Sequence, residues 1–556
     1  ASGEVAYTPR GGYTGTDSFV YEICDFEGLC SEATVVVTVE AAQPPTEPPT
    51  DEPPIVYLPG TNNQHDNITE YNGPSTCLQC HKSMATEMLT TVHMKWAGPT
   101  PDLTNTSGEE LGKGVGGINT FCTYAPSSKG ACYSCHVRAD GNAPDAPVAE
   151  DVDCLMCHSD AYQRKFVADP NNTVTVTNVD NQVKTYVFGQ VDEQGNYTTE
   201  PDYSKMTINV VDAARTVHLP TTQSCLRCHA KAGGGDWTKR GDMGLNTADA
   251  TVDQDVHLAK AGANLSCVSC HSADNHEIMG RGIDLRATEG GTPTCSACHS
   301  SEPHSSSTLN RHAGGQVSCQ VCHIRTFAKG GATEMSRDWY QPTWNSAFCS
   351  GQGGYVGHEV KESNVKPEYV WFDGTSYVYN VGETIQPDAR GVLPMAKANG
   401  APFDGNSKIV PIKRHFTVMP YDANGKIIPP AIMWMFMTGD FDIAVQKGLE
   451  EQAAKGESYT GNYDIVEADA EMLITHGVDP KSKAPSCTEC HDNSGQTPDG
   501  YGMVPFDKLG YHSFRDKVLT CTRCHGDEDN PGFQSLHTKH REKRVSCEQC
   551  HLPTSG

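Results

Sequence analysis

Apolar and polar positions alternate most regularly at Ser18 to Ile23 and at Ala33 to Val39, on either side of an Asp-Phe-Glu-Gly turn. Strand side chains point alternately to opposite faces, so this pattern predicts a pair of short β-strands within Tyr13 to Glu40. Thr173 to Val187 alternates in the same way and predicts a second strand excursion, while Tyr369 to Ile385 predicts a hairpin turning at Asp373-Gly374. Asp440 to Lys455 carries helical spacing. The longest apolar run, Ala431 to Met437, is far shorter than the roughly 20 residues that cross a bilayer. Elsewhere the regular signal is weak, and short helices joined by loops are expected.

Composition sharpens this picture. Apolar residues make up 37% of the chain, below the roughly 45–50% of globular domains, a range that also counts Gly. A core of this length therefore needs apolar material from elsewhere. The formal charge of −27 disfavours nucleic-acid binding and suits a basic partner or a bound cation. QPPTEPPTDEPPIV, residues 43–56, reads as an extended, semi-rigid linker between a β module at 1–42 and the rest. Residue 1 does not open a signal peptide, which is expected of a mature or trimmed chain.

The missing core has a candidate. Cys-x-x-Cys-His occurs ten times. The first five sites are Cys77, Cys80 and His81; Cys132, Cys135 and His136; Cys154, Cys157 and His158; Cys225, Cys228 and His229; and Cys267, Cys270 and His271. The other five are Cys295, Cys298 and His299; Cys319, Cys322 and His323; Cys487, Cys490 and His491; Cys521, Cys524 and His525; and Cys547, Cys550 and His551. Random placement would produce roughly 0.04 occurrences. A zinc site gives no reason for a His after every second Cys, whereas a c-type haem needs two thioether bonds and an axial imidazole at that spacing. Ten c-type haems with their irons are the predicted cofactors, and removing them should cost the chain its fold. Thirteen further histidines nearly match the demand for second axial ligands, and bis-His haems favour electron transfer because both axial positions are closed.

Four cysteines remain: Cys24 and Cys30, which flank the first turn and suit a disulfide, Cys122, and Cys349, which has no assigned role. Covalent haem attachment and that disulfide predict a location outside the cytoplasm, extracellular, on the cell surface or periplasmic.

GYTGTDSFVYEICDFEGLCSEATVVVTV resembles the end of bacterial immunoglobulin-like and cadherin-like repeats, but covers only part of such a domain. From Cys77 to about Tyr511 the chain resembles the octahaem tetrathionate reductase family, relatives of multihaem hydroxylamine oxidoreductases and nitrite reductases. The matching stretches include VDCLMCH at 152–158, CLRCHAKAGGGDWTKRGD at 225–242, DVHLAKAGANLSCVSCHSADNHEI at 255–278, CSACHSSEPH at 295–304, LNRHAGGQVSCQVCH at 309–323, HFTVMPYD at 415–422, ITHGV at 474–478 and FDKLGY at 506–511. The expected architecture is a mostly α and irregular multihaem core at 57–511 with small β excursions, a partial Ig-like β-sandwich module before it, and a dihaem extension at 512–556.

The resemblance implies that the haem on Cys132, Cys135 and His136 takes Lys239 in place of a distal His, with Asn119 and Cys122 beside it. It implies His93, His257, His276, His304, His312, His415 and His476 as the other distal ligands of the core. His512, His537 and His540 would serve the last two haems with one to spare, leaving His65, His218 and His358 at the surface or in structural roles. Two principal functions stay open: an electron relay, including a filament subunit that passes electrons to identical neighbours or other redox proteins, and a reductase of tetrathionate, nitrite or hydroxylamine at the Lys-ligated haem. A third, surface adhesion, rests on the β module alone.

Overall fold

The computed structural model describes residues 15–24, 30–39, 64–121, 123–124, 137–138, 147–191, 197–348, 351–486, 489–490, 503–506 and 508–510. Three whole attachment motifs lie outside the described residues: the second (Cys132, Cys135 and His136), the ninth (Cys521, Cys524 and His525) and the tenth (Cys547, Cys550 and His551). So do Cys122, Cys349, Cys487, His491, His512, His537 and His540, which leaves Cys490 as the described part of the eighth motif. Contacts divide the chain into two compact units, one of Ala1–Pro53 with Ser296–Ser300 and one of the remainder.

In the first unit, β1 (Gly15–Cys24) and β2 (Cys30–Val39) form an antiparallel ladder in continuous register. Its last rung opposes Cys24 to Cys30. Antiparallel partners lie about 4.5–5.5 Å apart at Cα, within the span a disulfide bridges. The disulfide that the sequence predicts between Cys24 and Cys30 has a direct test: non-reducing peptide mapping should return the two strands as one linked fragment, and free thiols at both positions would contradict it.

In the second unit, the attachment histidines ride on short helices. They sit on α1 (Pro74–Met88), α2 (Leu155–His158), α3 (Thr222–His229) and, after α4 (Ser307–Gly314), α5 (Cys319–His323). One turn suffices, because residues three and four apart share a helix face and so carry both cysteines and the His to one side. Cys225, Cys228 and His229 share α3 in this way, as Cys319, Cys322 and His323 share α5. The sixth motif is looser: Cys295 opens a single 3-10 turn, Cys295–Ala297, and Cys298 and His299, which group with the first unit, follow it, both exposed. Thr221 caps α3 by accepting from the Ser224 amide, and Ser306 caps α4 at Leu309. Beneath these helices Met88, Met94, Leu155, Met156 and Tyr162 form an apolar cluster.

The region between the seventh and eighth attachment sites is built differently. It forms a seven-stranded mixed sheet from β5 (Thr333–Asn345), β6 (Gly354–Glu362), β7 (Glu368–Phe372), β8 (Ser376–Val378), β9 (Leu393–Ala398), β10 (Lys408–Asp422) and β11 (Tyr463–Leu473), in the order β6-β5-β10-β11-β9-β8 with β7 also on β10. Strand β10 runs antiparallel to β11 and β7 and parallel to β5. The expectation of a mostly α core with small β excursions is corrected here. A long stretch without haem must bury its own apolar surface, and it does so with Tyr379, Leu393, Met395, Met419, Ile427 and Ala468, at about 1.5–3 kcal/mol for each large side chain fully buried.

The hairpin expected around Asp373-Gly374 is also absent: β7 pairs with β10, and β8 pairs with β9. The excursion at Thr173 to Val187 is a hairpin of β3 (Ala168–Thr177) with β4 (Val183–Gly189). Phe441–Ala454 is a helix whose first turn is capped by Asp440, which accepts from the Ile443 amide.

Candidate haem ligands and a buried polar cluster

Among the described residues, His81, His229, His271 and His323 each face a second histidine. Ring centroids are 5.9 Å apart for His81 and His65, 6.1 Å for His229 and His93, 6.1 Å for His271 and His476, and 6.2 Å for His323 and His304. Two imidazoles that each bind one metal at about 2.0 Å through Nε2 put their centroids roughly 6 Å apart. The residues present therefore fit axial ligation at four separate haems, and the haem would supply the redox-active iron there. At all four sites the second thiol, on Cys80, Cys228, Cys270 or Cys322, directly precedes the histidine that faces its partner.

The interplanar angles run from 9° at His304 and His323 to 67° at His93 and His229. Burial pushes His93 down and His229 down to about 3, keeping both neutral, the form in which imidazole binds metal.

The second ring nitrogens are anchored as well. His158 Nδ1 lies 2.9 Å from the His218 carbonyl, His271 Nδ1 2.8 Å from that of Met279, and His312 Nδ1 2.7 Å from that of Thr308. His304 Nδ1 meets Asn310 Oδ1 at 3.2 Å, His276 Nδ1 meets Glu87 at 3.1 Å, and His476 Nδ1 meets Asp242 at 3.0 Å. Such partners fix ring orientation and leave Nε2 for the metal. His276 lies close enough to His158 to act on it electrostatically, which suits it to the haem on Cys154 and Cys157. His218 is committed elsewhere, its Nε2 to the Asp160 amide and its Nδ1 beside the Leu219 carbonyl.

Attachment points also meet in pairs. The thiols of Cys77 and Cys154, of Cys225 and Cys267, and of Cys295 and Cys319 lie within hydrogen-bonding reach of each other. The first and third, fourth and fifth, and sixth and seventh sites are thus neighbours. Near Cys490, in the described part of the eighth site, a cavity of about 1600 Å³ is lined by Tyr369, Trp371, Arg390, Arg414, Asp469 and Glu489, larger than ordinary small-molecule pockets. The Cys490 and Cys322 thiols both lie close enough to Tyr369 to act on its hydroxyl, which burial pushes upward.

Two expectations about distal ligands are corrected. His65, assigned to the surface, is the residue that faces His81. His415, expected as a ligand, is fully buried with both ring nitrogens taken: Nδ1 lies 2.9 Å from Thr120 Oγ1 and Nε2 3.1 Å from Glu334 Oε1. Glu334, paired with Arg337 at 2.6 Å, accepts from Nε2, and the Thr120 hydroxyl donates to Nδ1. Burial, with Lys413 and Arg337 nearby, pushes His415 well below its ordinary value and keeps it neutral. No lone pair is left for iron.

His415 belongs instead to a polar cluster between the sheet and the loop that carries Lys239. Phe121 stacks on its ring at 3.8 Å and donates its backbone N–H to Asn119 Oδ1. Gly233, at φ +86°, allows the close approach: a Cβ there would meet Lys239 Cβ at 3.0 Å and Phe121 Cδ1 at 3.1 Å. Lys413, also buried, donates to the carbonyls of Thr238 at 2.7 Å and Lys239 at 3.1 Å and to Thr333 Oγ1 at 2.6 Å. Burial pushes Lys413 down to about 7, against the pull of Glu334.

Lys239 itself forms an ion pair with Asp284 at 2.8 Å. Burial lowers it and Asp284 opposes that shift. The structure thus brings Asn119 and Lys239 to one neighbourhood, while Cys122 and the haem they would serve lie outside the described residues. Asp284, Glu334, Arg337 and Lys413 carried no sequence signal, since each reads as an ordinary charged residue until the fold buries it.

Among known families, one described as bacterial cytochrome c matches residues 346–494, and one described as bacterial Ig domain matches residues 1–38. An uncharacterized protein of Archaeoglobus fulgidus is 26% identical over 265 residues, 41% of this chain and 82% of its own. The crystal structure of an octaheme cytochrome c from Shewanella oneidensis is similar at a TM-score of 0.64 and 27% identity, over 82% of this chain and 98% of that one. Taken with the paired histidines and the attachment motifs, these likenesses identify the chain as a multihaem c-type cytochrome that serves electron transfer.

Proposed function

We propose that this chain is a ten-haem electron relay working outside the cytoplasm, with an octahaem core at 57–511, a dihaem extension at 512–556 and an Ig-like module at 1–42. The four histidine pairs at 5.9–6.2 Å carry the proposal. An iron closed on both axial faces exchanges electrons and excludes substrates. Neighbouring attachment points, such as those at Cys77 and Cys154, favour passage from one haem to the next. The two extra haems, on Cys521, Cys524 and His525 and on Cys547, Cys550 and His551, lengthen the route. The Ig-like module suits contact with another copy or another redox protein, as in a filament. Among the described residues no helix is long and apolar enough to cross a membrane. The purified holoprotein should form assemblies that conduct between electrodes; dispersed copies that pass no current between them would overturn the filament reading.

A second reading has its own observation. Lys239 is held within a buried polar cluster beside the Asn119–Phe121 segment, a setting that suits reduction of tetrathionate, nitrite or hydroxylamine at the haem on Cys132 and Cys135. A displaceable amine ligand would open one iron, and nearby cations would stabilise developing negative charge. In this reading the ferric wild type shows one low-spin signal distinct from bis-His haem, and Lys239→Ala abolishes it. Identical paramagnetic resonance spectra for the two proteins would remove the site.

A further inference from the structure

The loop Thr475-His476-Gly477-Val478 carries the histidine that faces His271 and is gripped by two buried carboxylates. Asp255 accepts the amides of Gly477 at 2.7 Å and Val478 at 3.2 Å. Asp242, whose side chain is fully buried, accepts those of Thr475 at 2.9 Å and His476 at 3.1 Å. Asp242 does one thing more: the same oxygen, Oδ2, lies 3.0 Å from His476 Nδ1. A carboxylate only accepts, so Nδ1 carries the proton and Nε2 keeps its lone pair for iron. Arg240 Nε lies 3.5 Å from Asp242 Oδ1 and holds the carboxylate in its charged form.

The other anchored histidines differ from this one. His158, His271 and His312 face backbone carbonyls, and His304 faces an amide oxygen. His276 faces a carboxylate, but the Glu87 side chain is 36% exposed and its charge is screened by water.

We infer that Asp242 is the residue that sets the reduction potential of the haem on Cys267 and Cys270, holding it below that of a bis-His haem without such a buried carboxylate. A buried negative charge on the far nitrogen gives the imidazole imidazolate character and makes it a stronger donor. The stronger donor stabilises ferric over ferrous iron, and accepting one electron at this haem becomes less favourable. The low-potential haem then spends less time reduced than its neighbour at Cys225, so an electron crosses it instead of resting there. This inference rests on the bis-His reading of that haem.

Spectroelectrochemical titration of the full holoprotein tests it, with His476→Met marking the wave that belongs to this haem, since Met/His ligation raises the potential. Asp242→Asn keeps an acceptor of similar shape and is expected to move the same wave upward by tenfold or more in reduction constant, about 59 mV for one electron. Asp255→Asn, which touches the loop backbone and not the imidazole, is expected to move it by clearly less. Equal shifts for the two Asn variants, or no shift for Asp242→Asn, overturn the assignment. Should Asp242→Asn not fold, the wild type still decides: the wave displaced by His476→Met must lie among the most negative, and a wave in the upper half of the range overturns the inference. A His476→Met protein in which no wave moves counts against the bis-His ligation itself.

Discussion

Replacing His65 with Ala is expected to open the haem on Cys77 and Cys80. The His81 and His65 rings lie 5.9 Å apart and are inclined by 28°, so the substitution removes the second axial donor and leaves a five-coordinate or water-bound iron. The oxidised variant should gain a high-spin signal amounting to one haem per chain and should bind cyanide at that single site, and the reduced variant should bind carbon monoxide there, where the wild type binds neither. His415→Gln should leave every haem low-spin, because His415 spends both nitrogens on Thr120 and Glu334. The pair of variants separates the two histidines by a complete change at one iron against none. An unchanged spectrum for His65→Ala would return His65 to the surface.

The second large effect concerns stability. Glu334 is fully buried and holds His415 at 3.1 Å and Arg337 at 2.6 Å. Glu334→Leu would remove the buried carboxylate from the Arg337 guanidinium, leaving it Glu359 at 3.0 Å and the carbonyls of Phe121 and Gly233, and would strip the strongest acidic influence from buried Lys413. Breaking a buried pair by removing one partner costs about 3–5 kcal/mol, because the other charge stays desolvated. Denaturant unfolding of the oxidised holoprotein should show a loss of that order. Glu368→Leu, at an exposed carboxylate facing Arg414, should cost at most about 1 kcal/mol, as surface ion pairs do. Equal losses would mean that the cluster is better solvated than its geometry implies.

The haem attachment sites were legible because the chemistry is local: two thioethers and one imidazole must fall within five residues, and no other residue can substitute. Distal ligands obey no such rule. His476 lies 205 positions after the His271 it faces, and His65 lies 16 before its partner His81, so spacing cannot tell a ligand from a structural histidine. His415 shows the reverse failure. It sits in HFTVMPYD, where the resemblance implied a ligand, yet strand β10 aims it at Glu334 and the fold spends it on a hydrogen-bond network.

The sheet leaves little trace in the sequence for a related reason. Alternation in KIVPIKRHFTVMPYD is broken by buried Lys413 and His415, whose places in the core become apparent only once Thr238, Thr333 and Glu334 are brought against them. The local turn at Asp373-Gly374 suggests a hairpin, but the long-range ladders to β10 and β9 prevail.

The most direct measurement is a stepwise reductive titration of the intact holoprotein, with its mass determined on the same sample. A relay of ten attached haems predicts a mass equal to the polypeptide plus ten haems and the uptake of ten electrons per chain, spread over a broad range of potential. A chain that carries fewer haems, or that takes up one or two electrons and leaves the remaining irons silent, would contradict the account.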